Sequence, residues 1–114
     1  MNRPDPDSNT FDCRSGESIT VNITSENTAH LVSYVLGAKK GHLAENETLA
    51  FSATTGPGIT QLTLLLTYAP VGDQTASYTV EITGNQGGGP FKDDYSQTFA
   101  VPADGPIYFF EVTQ

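Results

Sequence analysis

Asp5-Pro6-Asp7-Ser8-Asn9 sets oxygen-bearing side chains at alternate positions, the spacing with which a loop begins to wrap a calcium ion. Asp5, Asp7 and Asn9 are the candidate metal ligands. The pattern then departs from a calcium loop. Thr10 stands where the sharp turn needs glycine, and Gly16 stands where a bidentate carboxylate should close the shell, with Glu17 one step late. The competing reading is a solvated acidic arm, and it requires no cofactor.

Gly37-Ala38-Lys39-Lys40-Gly41-His42 is the one local basic cluster in a chain with 5 basic and 13 acidic residues. Glycines let backbone N–H groups approach an anion and the lysines add charge. Lys39 and Lys40 are therefore candidates for docking a carboxylate, including one on a second copy of this chain. A solvated loop is the plainer alternative. A further candidate lies in Gly84–Tyr95, where glycines give mobility and Phe91, Asp93, Asp94 and Tyr95 offer rings beside hydrogen-bond acceptors. Rings covering C–H groups while polar groups orient hydroxyls is how a loop holds a sugar. Against this, the chain has no tryptophan, and Phe91 and Tyr95 could simply pin the loop to the core.

Catalysis finds little to work with. The sequence lacks His-Glu-x-x-His, Gly-x-Ser-x-Gly, Cys-x-x-Cys and a phosphate loop ending in Gly-Lys-Ser/Thr. A histidine base would have to be His30 or His42, paired with a distant serine or carboxylate. The expectation is a protein that is not an enzyme. Cys13 is the single cysteine, so no intramolecular disulfide forms and the redox compartment stays open.

The last apolar segment, Ile107-Tyr108-Phe109-Phe110-Glu111-Val112, raises a different question. In an extended chain Tyr108, Phe110 and Val112 point one way while Ile107 and Phe109 point the other. One set fills a core; Ile107 and Phe109 need a second cover and are candidate interface residues. Left bare, such a segment would be an aggregation hazard. The covers available within the chain are Phe11, on the N-terminal arm, and Phe91.

These residues need strands to position them. Clean or double-sided apolar alternation marks 18–24, 30–36, 48–53, 59–68, 77–83, 96–101 and 107–112 as strands. Pro102–Pro106 reads as a hairpin connection between the last two, 84–94 as the main long loop, and 43–46 as a helical turn. Residues 1–16 form an extended arm and 17–114 one domain. The fold expected is a single all-β antiparallel sandwich of about seven strands, with immunoglobulin-like or jelly-roll topology.

A net charge of -8 repels phosphate backbones and anionic lipid, so neither nucleic acid nor membrane insertion is expected. Charged residues make up only 16% of the chain, so Thr, Ser, Asn, Gln and Gly must finish the surface, as in secreted or extracytoplasmic β domains. A cytoplasmic location is the alternative, and any leader would have been removed ahead of residue 1. The leading functional expectation is a non-catalytic interaction or structural module that binds protein and self-associates. The alternative is a module for carbohydrate or another small polar ligand, using residues 84–95.

Overall fold

The computed structural model describes residues 1–5 and 7–113, and of 102–104 the backbone only. Among these residues there is no helix. Ten strands form two packed sheets: β1 (Thr10–Cys13), β2 (Ser18–Glu26), β3 (Leu31–Leu36), β4 (Lys39–Leu43), β5 (Thr48–Ser52), β6 (Gly58–Tyr68), β7 (Ala76–Gly84), β8 (Phe91–Gln97), β9 (Val101–Asp104) and β10 (Ile107–Val112). The larger sheet runs β1-β10-β6-β3-β4, with β9 also on β6; the smaller runs β5-β2-β7-β8.

Alternation builds both layers. In β2 Ile19, Val21 and Ile23 are buried and Ser18, Thr20, Asn22 and Thr24 exposed. Tyr78, Val80 and Ile82 of β7 join that inner face, and Leu62, Leu64 and Leu66 of β6 with Tyr108, Phe110 and Val112 of β10 meet them from the larger sheet. Burying aliphatic and aromatic side chains at about 1.5–3 kcal/mol each is what holds the layers together. Phe110 joins them directly, stacked on Phe11 at 5.4 Å and edge-on to Phe51 of β5 at 5.2 Å.

Several sequence expectations are corrected. Residues 96–101 are not a strand paired with 107–112, and Pro102–Pro106 is not a hairpin. Strand β9 pairs with β6 through Leu66↔Asp104 and Tyr68↔Val101, and β10 continues along the same β6 from Ile107↔Thr63 to Val112↔Gly58. Both lie on β6 in one direction, so the prolines mark an irregularity within a single line. Gly105 sits there because a Cβ would strike the Leu64 carbonyl, which lies against the chain where Leu64 N donates to Pro106 O at 2.9 Å. The long loop shrinks too, since Phe91–Gln97 forms edge strand β8 against β7.

No helical turn forms around Leu43–Asn46. The chain turns through Gly37, whose φ of 58° suits the first central position of a two-residue hairpin, and Lys39–Leu43 pairs with β3. The arm is not free either, because β1 adds to β10 in parallel register, a departure from a wholly antiparallel sheet. Beyond β1, Asn2 N donates to Asp12 O at 2.8 Å and Asp12 N to Asn2 O at 2.7 Å, capping that edge. The other edge of the larger sheet, β4, is exposed at Lys39 and Lys40. Lysine on an edge strand disfavours pairing with another chain.

Candidate functional site

The two sheets present unlike outer surfaces. On the smaller one the outward side chains include Ser18, Thr20, Asn22 and Thr24 of β2, Thr79 and Glu81 of β7, and Lys92 and Asp94 of β8. Hydroxyl, amide and charge dominate that face. On the larger sheet Ile59 is 59% exposed, Leu31 53%, Ile107 41% and Phe109 37%, with Val35 and Leu65 half-buried beside them.

Register makes these one patch. Across β10 and β6, Glu111 opposes Ile59, Phe109 opposes Gln61 and Ile107 opposes Thr63. Across β6 and β3, Val35 opposes Thr63, Ser33 opposes Leu65 and Leu31 opposes Thr67. Phe109 is thus diagonal to Ile59, Ile107 to Leu65, and Leu65 to both Val35 and Leu31, spacings of roughly 7–8 Å over which long side chains still touch. Ile107 and Phe109 are two members of a diagonal that crosses three strands.

Neither expected cover reaches them. Because Thr10 aligns with Phe109 and Phe11 with Phe110, β1 lies beside β10 and sends Phe11 to the inner face. There Phe11 is fully buried and meets Phe91 edge-on at 5.3 Å. Both rings are committed to the core. The face is also electrically divided: Asp12 lies beside Glu111 on the β1 side, and Lys40 shares a row with Val35 on the β4 side. Asp12, Glu111, Lys39 and Lys40 form no ion pair among the described residues. Adjacent like charges on a sheet repel.

Strand β8 divides the residues suggested for ligand binding. Phe91, Asp93 and Tyr95 turn toward the interior and Asp94 turns outward, accepting from Thr79 Oγ1 at 2.8 Å. Asp93 is occupied by Arg3, whose NH1 lies 2.9 Å from Oδ1, and by the Tyr108 hydroxyl, which donates to Oδ2 at 3.0 Å. Tyr95 completes the chain, its hydroxyl 2.9 Å from that of Tyr108. Burial drives the Tyr108 hydroxyl far above the ordinary tyrosine range, reinforced by the Tyr95 hydrogen bond, and burial raises Tyr95 as well. Both phenols are neutral at pH 7. Their work is to tie β8 and the arm across the two sheets.

Beside this network the sheets part into a cleft of about 380 Å³, bordered by Asn9, Asp94, Ser96, Gln97 and the rings of Tyr68 and Tyr95. Its size falls within the usual range of small-ligand sites, about 300–1,000 Å³. The acidic arm is arranged differently from a calcium loop. Asp5 Oδ1 accepts from the Asp7 backbone N–H at 3.0 Å and Asn9 Oδ1 faces Arg3 NH2 at 3.3 Å, which sets a guanidinium beside a would-be ligand. Pro6 lies outside the described residues. Among the described residues no group of three His, Cys, Asp or Glu side chains is placed to hold a metal ion, and no helix is long and apolar enough to cross a membrane.

Ser33 Oγ lies 2.9 Å from His42 Nδ1 on the open side of β3 and β4. No carboxylate hydrogen-bonds that imidazole among the described residues, so nothing there orients it as a base. Cys13, half-buried, has its thiol pushed up to about 11, by burial first and by the Glu17 carboxylate second, which suppresses the thiolate.

Sequence reading singled out Ile107 and Phe109 but not Ile59 or Leu31. The double-sided apolar pattern of 30–36 is visible in the sequence, yet its place beside β6, across from β10, depends on a pairing and register that alternation alone does not give. Arg3 carried no signal, because its partner Asp93 is distant in the chain. The chain matches no family model, no curated protein and no solved structure.

Proposed function

We propose that this protein is a non-catalytic β-sandwich module that acts by binding protein, and first of all a second copy of itself, through the outer face of its larger sheet. The observation that carries the reading is the continuous apolar diagonal from Ile59 through Phe109, Ile107 and Leu65 to Leu31, opposite a smaller sheet with an almost wholly polar face. Contiguous exposed apolar surface on a stable domain marks an interaction site. The 36 strand residues of that sheet, each covering about 4.8 Å by 3.3 Å, present roughly 570 Å² in projection. A standard interface takes about 800 Å² per partner.

Light scattering after size exclusion tests it. The expected mass is that of a dimer at tens of micromolar, falling to a monomer for Ile107→Ser with Phe109→Ser while the melting temperature holds within a few degrees. A native protein that stays strictly monomeric at high concentration refutes self-association. The cleft beside Tyr95 supports a second reading, a site for a small polyol or sugar. A glycan array tests it, and a hit insensitive to Asp94→Ala and Gln97→Ala lies elsewhere.

Of the two expected topologies we favour the immunoglobulin-like one. The β3–β4 and β7–β8 connections are hairpins within one sheet, unlike the repeated crossings of two nested Greek keys. An experimental structure that takes β7 off β2 would overturn it. The hydroxyl-rich face of the smaller sheet supports an extracytoplasmic location, which cell fractionation checks.

A further inference from the structure

We propose that two copies pack face to face about a two-fold axis parallel to the strands, so that the lysine edge of each lies over the acidic edge of the other. The proposal rests on the reading above that this face binds a second copy, and it adds the orientation.

Two sheets related by a two-fold axis through their shared plane have two limiting arrangements. An axis perpendicular to the strands keeps each strand at its own lateral position, so with the axis level with Thr63 β4 meets β4. Lys40 would then face Lys40, in a molecule already carrying -8. An axis along β6 exchanges the edges. Lys40 of each copy moves over the β1 side of its partner, where Asp12 and Glu111 form no ion pair among the described residues. The strands stay aligned, as in ordinary sheet-on-sheet packing.

The apolar diagonal agrees with the same choice. Ile107 and Val35 both align with Thr63 of β6, one strand to either side. Exchange of edges about β6 sets Ile107 of one copy on Val35 of the other, and does so twice. With the perpendicular axis through Thr63, Val35 meets Val35 and Ile107 meets Ile107. Lys40, level with Thr63, stands two rows from Glu111, roughly 13 Å along the strand. With the sheets about 10 Å apart as well, the charges lie roughly 16 Å from each other, beyond the Debye length of about 8–10 Å at 0.1–0.15 M salt, so they select orientation chiefly at low salt and add little affinity.

Single-cysteine variants in a Cys13→Ala background, joined by a short bismaleimide at micromolar protein, read out the orientation. Mixing Val35→Cys with Ile107→Cys is expected to give a cross-linked heterodimer as the main product, several-fold above either variant alone. Homodimer cross-links from Val35→Cys alone would leave the dimer standing and overturn the strand-parallel axis. A species of dimer mass that yields neither cross-link also overturns it. A monomer in light scattering removes the reading on which it rests. As a check on cause, Lys40→Glu should weaken the dimer about tenfold in low salt, and Asp12→Lys with Glu111→Lys in the same chain should restore it; equal dimerisation in all these variants would refute the role of charge.

Discussion

Replacing Tyr108 by phenylalanine removes one oxygen from a place that water does not reach. Tyr108 is fully buried, and its hydroxyl both donates to Asp93 Oδ2 at 3.0 Å and lies 2.9 Å from the Tyr95 hydroxyl. The ring stays, so the loss is polar: the substitution strands the Tyr95 donor and one Asp93 oxygen, although Arg3 still holds the other. Leaving such groups unpaired costs about 1–3 kcal/mol, so about 2 kcal/mol is expected at pH 7, or roughly 6–12 °C in melting temperature for a domain of this size.

The pH dependence carries the sharper test. Burial holds the folded Tyr108 pKa far above its ordinary value near 10, so above pH 10 the unfolded chain releases this proton while the folded chain retains it. Stability from this group is therefore complete below pH 10 and declines as pH rises, by about 1.4 kcal/mol per pH unit. Phenylalanine has no proton to lose. The gap of about 2 kcal/mol between native and variant should then close near pH 11.5. Urea unfolding at pH 7, 10, 10.8 and 11.5 measures it. A gap under 0.5 kcal/mol at pH 7, or one that does not narrow above pH 10, would refute the assigned network.

Three further outcomes are expected. Phe110→Ala should cost about 3–5 kcal/mol in urea unfolding, because the ring bridges Phe11 of the larger sheet and Phe51 of the smaller. Gly41→Ala should lower the melting temperature measurably, since its Cβ would press on the Tyr34 ring lying across Gly41. Calorimetric titration with calcium should give no heat and no thermal shift, because Arg3 faces Asn9 and Asp5 is engaged in its own turn; a stoichiometric exotherm lost in Asp5→Asn with Asp7→Asn would show the opposite.

The layers were legible wherever a strand buries one face only. The alternation of 18–24 and 77–83 named the inner residues correctly, since period-two burial is a local property of the chain. Tyr108, Phe110 and Val112 were likewise placed on the core side. What local pattern does not carry is pairing. Pro102 and Pro106 suggest a bend, yet β9 and β10 follow one line because β6, far away in sequence, is long enough to receive both. Lys39–Leu43 contains two lysines and a glycine and reads as a loop, but the Leu36–Lys39 turn returns it against β3. Tertiary pairing there overrides weak strand propensity. The candidate site was half visible for the same reason: Ile107 and Phe109 stood out within their own strand, while Ile59 and Leu31 join them only through register.

The capped margin at Asn2 and the lysine-bearing margin at β4 limit strand addition to the larger sheet. Sideways addition of strands needs an open row of backbone donors and acceptors, and here one row is closed at Asp12 while the other is short and positively charged. A partner of the larger sheet is therefore directed to its broad surface rather than its edges. Contact of that kind between identical copies uses the same patch on both, so the first pairing consumes it and leaves nothing for a third molecule. In the proposed pairing, then, the margins of the larger sheet would limit the number of copies while its face would supply the affinity.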